Sequence, residues 1–304
     1  MRECDVTENM AGSPIIFERS LRRRRRARAA ASAPANFLLE RVAAELADRL
    51  SVVLRRFDLA VDLGTPSDAV RAALADLESV GTVVGTDVFP RARPFVVADE
   101  ETLPFRDGAV DLVVSALALQ YVNDLPGVLL QVRRALKPDG LFVAAFIGGD
   151  TLTELRQSFA AAETEIEGGV SPRVAPFIDL REAGGLLQRA GFALPVTDVE
   201  RIAARYDSAF DLMRELRQMG ATNPLVARRR TPLRRTTLMR MSENYARHFA
   251  DPDGRIRATF DIVWLSGWAP HPGQQQPLKP GSAKARLADA LGAREISAGE
   301  KAGR

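Results

Sequence analysis

The sequence predicts an α/β fold with a seven-stranded, mostly parallel sheet. Two apolar runs, Val110–Leu117 and Leu141–Ile147, carry the prediction. They are too short for helices and too continuous for half-exposed strands, so they read as central parallel strands buried on both faces. Between them, Asp124–Leu136 puts Leu125, Val128, Leu129, Val132 and Leu136 on one helical face. Asp124 is a fitting N-cap with Pro126 just inside. Lys137-Pro138-Asp139-Gly140 then stops the helix and turns the chain. The pieces make one βαβ unit.

The other elements follow in order. The start to about Ser13 reads as unstructured, and a basic helix follows near Pro14–Ala31. Pro34 opens a helix with Phe37, Leu38, Val42, Leu46 and Leu50 on its apolar stripe. Strand one is Phe57–Leu63, followed by a helix at Ser67–Ser79. Strand two is Thr82–Thr86, ending at Asp87, and strand three is Pro94–Ala98. Beyond Asp150 come helices at Leu152–Glu167 and Ile178–Arg189, closed by Gly191, and strand six at Pro195–Tyr206. Helices at Asp207–Met219 and Pro232–Phe249 read as an inserted cover, residues 207–256. Asp253-Gly254 turns into a last strand, Ala258–Trp268, expected antiparallel, with Trp264 and Trp268 packing it. The expected organisation is a flexible start and basic helix (1–31), an α/β domain (32–269), and a Pro/Gly/Gln-rich tail (270–304) with one short helix at Ala283–Leu291.

Composition narrows the function classes. The hydrophobic share of 46% over 304 residues can build a large core. No apolar run approaches the roughly 18 residues of a spanning helix, and Met1–Met10 lacks the apolar stretch of a secretory signal. A cytoplasmic protein is expected. Cys4 is the one cysteine, which excludes a disulfide framework and a cysteine metal cage. Arg22–Arg26 with Arg28 form one basic run; Arg228–Arg230 with Arg234 and Arg235 form another. Each reads either as a solvated face or as a docking patch for an anionic surface: an acidic carrier protein, or a membrane met peripherally through Arg22, Arg23, Arg24, Arg25 and Arg26. Neither run interleaves stacking aromatics, so nucleic acid is not expected.

Ligands of open α/β sheets sit outside the carboxyl ends of the strands, where the strand order reverses. Asp62 closes strand one, Asp87 closes strand two, and Asp99-Glu100 follow strand three. A carboxylate at Asp87, 23 residues after Gly64, can accept both hydroxyls of a ribose. Asp99 can accept an adenine amino group. Each alone is also an ordinary turn residue; their joint placement singles them out.

The order D-E-x-x-L-P-F-x-D-x-x-x-D-L-V-V-S from Asp99 to Ser115, with V-N-D-L at Val122–Leu125 and R-x-L-K-P-D-G at Arg134–Gly140, resembles the class I S-adenosylmethionine-dependent methyltransferases. The resemblance covers roughly residues 37 to 270 and implies a Rossmann-like fold with S-adenosylmethionine as cofactor. The implied cofactor positions are Asp62, Gly64, Asp87, Asp99, Glu100 and Ser115. The glycine loop departs from the family's D-x-G-x-G-x-G. It reads Asp62-Leu63-Gly64-Thr65-Pro66-Ser67-Asp68, with the first glycine alone kept. Pro66 removes an amide donor and Asp68 adds negative charge. Either a reshaped pocket still binds the cofactor, or the fold has weakened or lost it.

Two families share the C-terminal half. Thr151–Arg156 and Met219–Thr222 are similar to the malonyl-carrier-protein methyltransferases of biotin synthesis. Ile16–Leu21, Gly148–Leu152, Glu167–Phe177, Leu186–Phe192, Gly267–His271 and Pro280–Ala283 resemble the arginine-hydroxylase assembly factors of mitochondrial complex I and their bacterial relatives. The second resemblance covers nearly the full chain and is favoured. It implies hydroxylation of an arginine on a complex I iron–sulfur subunit. A non-haem iron site needs two His and a carboxylate. His248, near a helix end, and His271, in the tail, are the two available, and each reads as a satisfied surface or core residue. No metal site is assigned. Methyl transfer asks mainly for positioning, and Gln120 and Tyr121, just past strand four, are the candidate catalytic residues on the substrate side; helix-start packing is the other reading. A non-catalytic assembly chaperone with a degraded cofactor loop is the third.

Overall fold

A computed structural model describes residues 15–32, 34–274, 289 and 291–293. The strands are β1 (Phe57–Leu63), β2 (Val80–Asp87), β3 (Phe95–Val97), β4 (Val110–Ala116), β5 (Leu136–Ile147), β6 (Ala193–Tyr206) and β7 (Ile256–Trp268). They form one sheet in the order β3-β2-β1-β4-β5-β7-β6. Pairing is parallel from β3 through β5, and β7 runs antiparallel to both β5 and β6.

The helices are α1 (Arg19–Ala31), α2 (Phe37–Ser51), α3 (Ala69–Leu74), α4 (Leu125–Ala135), α5 (Thr153–Glu167), α6 (Leu180–Arg189), α7 (Ala209–Gln218) and α8 (Arg235–Phe249). Successive strand residues point to opposite faces, and the two cores divide accordingly. Val143, Ala145 and Ile147 of β5 face one core with α2, α3, α5, α7 and α8. Phe142, Ala144 and Phe146 face the other with α4 and α6. The apolar runs of β4 and β5 are thus continuous because both faces are covered. Among the described residues no helix is long and apolar enough to cross a membrane.

Several boundaries differ from the sequence reading. Lys137–Gly140 does turn the chain, but inside β5: Val110 pairs with Leu136 and Leu112 with Leu141, so an irregularity absorbs the four residues, with Asp139 at φ 65°. α1 begins at Arg19, and α3 is cut to Ala69–Leu74. Phe37, at the first position of α2, is half-exposed and meets Phe260 edge-on. One compact unit extends to Pro270 and takes in α1. A second unit begins at His271. The helix expected at Ala283–Leu291 lies, apart from residues 289 and 291, outside the described residues, as do Cys4 and the start to Ser13.

Candidate active site

The strand order reverses between β1 and β4, and the acidic residues gather at that edge. Asp62, Asp87 and Glu100 are all buried. Gly64 takes φ +71° and its amide donates to the Thr86 carbonyl at 2.8 Å. A Cβ there would come within 2.7 Å of Glu100 Cγ, so the glycine is what lets the Glu100 side chain lie against the loop. Pro66 and Asp68 stand where the family places its later glycines, and Thr65, just before them, closes the loop with its side chain. Its hydroxyl donates to Asp62 and accepts from the Ala116 amide at 3.2 Å, joining β1 to β4. Burial pushes the Asp62 carboxyl up to about 7, opposed by the Thr65 hydrogen bond. Asp68 is paired with Arg71 at 2.5 Å, which offsets the charge that the sequence placed beside the loop.

The basic run is the largest correction. Arg22 and Arg26 are not solvated: both are buried on the carboxylates. Arg26 meets both oxygens of Asp87, at 3.1 and 2.5 Å. Arg22 donates to Glu100 at 3.0 Å and to the Ala118 carbonyl at 3.1 Å, with its guanidinium 5.1 Å from the Tyr121 ring centroid. Arg19 bridges Asp99, Glu100 and Glu101 at 2.6–2.7 Å, and Arg23 reaches Asp99 at 2.5 Å. Burial works to raise the Glu100 carboxyl, but Arg22, its own backbone amide, Arg26 and Arg19 together hold it below the ordinary carboxylate range. Of the second run, Arg228 is paired with Glu18, and Arg229 and Arg234 with Glu167.

A cavity of about 360 Å³ opens beside this edge. Leu117, Gln120, Tyr121 and Ile147 border it from the strand ends, and Leu155, Phe159, Met213 and Leu216 from the helices. Among the described residues its lining carries seven arginines (Arg22, Arg25, Arg26, Arg173, Arg217, Arg228 and Arg229) and neither Asp nor Glu. Gln120 donates through Nε2 to the Leu117 carbonyl at 2.9 Å, while its Oε1 is buried without a partner. Tyr121 lies in a small cluster with Phe17, Ala175 and Leu225, its ring 5.6 Å from that of Phe17. Burial pushes its phenol up, against the pull of Arg22 and Arg25.

The structure therefore brings Asp87, Asp99 and Glu100 together and sets Gln120 and Tyr121 on the cavity beside them. Ser115 is apart: it is fully buried and its hydroxyl donates to the Leu63 carbonyl at 2.7 Å, so it fastens strands. Asp62 likewise serves the loop through Thr65. His248 stacks edge-on with Phe249 at the end of α8, and His271 accepts from the Gly273 amide. Sequence reasoning missed Arg19, Arg22 and Arg26 as site residues, and Thr65. The spacing Arg19, Arg22, Arg23, Arg26 puts four guanidinium groups on one helix face and was the available signal.

A methyltransferase domain model matches residues 61–144, which spans β1 through β5. Arginine-hydroxylase NDUFAF5, mitochondrial, from Danio rerio is 37% identical over 287 residues, covering 90% of this chain and 89% of that protein. Malonyl-[acyl-carrier protein] O-methyltransferase from Laribacter hongkongensis is 43% identical over 183 residues, covering 60% of this chain and 59% of that protein. Among solved structures, the YcgJ protein from Bacillus subtilis superposes with a TM-score of 0.51 at 14% identity, covering 75% of this chain and 98% of that one, which is a likeness of fold. With more than a third of its residues identical over nine-tenths of its length, the chain belongs to the arginine-hydroxylase NDUFAF5 family.

Proposed function

We propose that the chain is an S-adenosylmethionine-binding enzyme that acts on an arginine of a protein substrate, a subunit of respiratory complex I. One observation carries the reading. The stretches resembling the assembly factors, Ile16–Leu21 and Glu167–Phe177, meet in space: Phe17 packs with Tyr121, Ala175 and Phe177, and the last three line the cavity. The resemblance thus falls on the residues that shape the substrate side.

The residue types at the strand ends fit the cofactor, with Asp87 and Glu100 now holding arginines of α1. Asp87 suits the ribose hydroxyls, Asp99 and Glu100 suit the adenine side, and Gly64 gives close backbone approach. When bound, S-adenosylmethionine supplies an electrophilic methyl on a sulfonium. Gln120 Oε1 is a free acceptor that can orient a donor group in the cavity. Of the first basic run only Arg23, Arg24 and Arg28 are exposed, so contact with an anionic membrane falls to them. The test is mass spectrometry of complex I subunits from wild-type and deletion strains. An arginine modified in the wild type alone supports the reading, and identical subunits overturn it.

A second reading, methyl transfer to the malonyl carboxylate on acyl carrier protein, is favoured by the acid-free, arginine-bearing lining. Arg22, Arg26, Arg173, Arg228 and Arg229 are paired with carboxylates behind the wall, which leaves Arg25, held on the Thr222 and Asn223 carbonyls, and Arg217 as the lining guanidinium groups that can meet an anionic group. Biotin auxotrophy of the deletion strain, with complex I intact, would decide for it.

A further inference from the structure

We propose that α1 is an intramolecular competitor of the cofactor's nucleoside end, held shut by Arg26 on Asp87 and Arg22 on Glu100; the inference rests on the cofactor reading above. An ionised carboxylate offers about four acceptor positions. At Asp87 all are taken: Oδ1 accepts from Arg26 and from the Val88 amide at 2.7 Å, and Oδ2 from Arg26 and from Arg91 at 2.9 Å. Ribose hydroxyls can reach that carboxylate only if a guanidinium leaves. Arg91 sits four residues away in the chain, whereas Arg26 comes from a separate helix 61 positions away.

The way α1 is attached favours its release. Ala29 is the one apolar residue that it buries; the others are Arg22 and Arg26. Its hold on the sheet edge is therefore electrostatic. The positive charges of Arg19, Arg22, Arg23 and Arg26 are matched by Asp87, Asp99, Glu100 and Glu101, a set that a neutral ribose and an adenine amino group can partly satisfy in turn. The fraction of molecules with α1 lifted then scales the apparent affinity directly.

The test is calorimetric titration of the full chain with S-adenosylhomocysteine, with Arg26→Gln and the double variant Arg22→Gln/Arg26→Gln beside the wild type. Binding should tighten at least about tenfold in the double variant. Unchanged or weaker binding overturns the proposal. A second measurement uses the wild type alone: hydrogen exchange of the α1 amides should speed up at saturating S-adenosylhomocysteine, and slower exchange would mean that α1 closes over the ligand instead. If neither wild type nor variants bind, the competitor and the cofactor reading fall together. If the wild type binds and neither measurement responds, the competitor alone falls.

Discussion

Arg26 of α1 and Asp87 at the end of β2 form a two-pronged, buried ion pair across 61 positions of the chain. The sequence gives Asp87 a single task, to receive a ribose. The structure adds another: Asp87 anchors a helix.

Asp87→Ala should therefore cost stability without any ligand. From the sequence alone the substitution is expected to spare the melting temperature. Removing the carboxylate leaves Arg26 buried without its partner, and breaking one side of such a pair costs about 3–5 kcal/mol. Urea unfolding of the ligand-free protein checks this. An unchanged midpoint would show that Arg26 swings out to solvent freely.

The basic run should divide in two. Arg24 is exposed and its contact with Glu18 is 3.5 Å long, so Arg24→Gln should change stability by less than about 0.5 kcal/mol. Arg26→Gln should lower the thermal midpoint measurably. Equal effects from the two would return the run to a uniform solvated face.

Asp62→Asn should flatten a pH dependence. With its carboxyl pushed up to about 7 by burial, folded Asp62 keeps a proton that the unfolded chain releases at about pH 3.9. Its contribution to stability is full below the unfolded value and is lost as pH rises toward 7. The variant should therefore gain on the wild type across that window, by about 1–3 kcal/mol at the upper end. Unfolding midpoints at several pH values measure the difference; parallel curves would contradict it.

Gly64→Ala should destabilise by about 1–3 kcal/mol. The new Cβ would sit in the left-handed region and 2.7 Å from Glu100 Cγ, and yielding there loosens the seat of Arg22. Calorimetric melting tests it, with an unaltered transition showing that Glu100 steps aside at no cost.

The sheet was legible because its signals are local. The runs at β4 and β5 and the stripe on α4 need only neighbouring residues, and the turn at Asp253-Gly254 announces β7. The arginine lock was not legible, because its ion pairs join α1 to residues 61–82 positions away and no short window contains both halves. Arg22 and Arg26 look like Arg24 in the sequence; the buried carboxylates opposite them make the difference. Thr65 escaped notice for a related reason. Its role as a fastener between β1 and β4 exists only once those strands are side by side.

Asn123 pins the near end of α1. Its side-chain oxygen accepts from the amides of Ile16 and Phe17 at 2.9 and 2.8 Å, and its nitrogen donates back to the Phe17 carbonyl at 3.2 Å. An arm that is part of the chain, running on into α2 and pinned at its other end, cannot diffuse off when its arginines release. It stays beside the site at an effective concentration set by the tether. Dilution therefore cannot relieve its competition, and the open fraction is the same at any protein concentration. The occupancy of the site then answers to how much cofactor surrounds the enzyme, and not to how much enzyme is there.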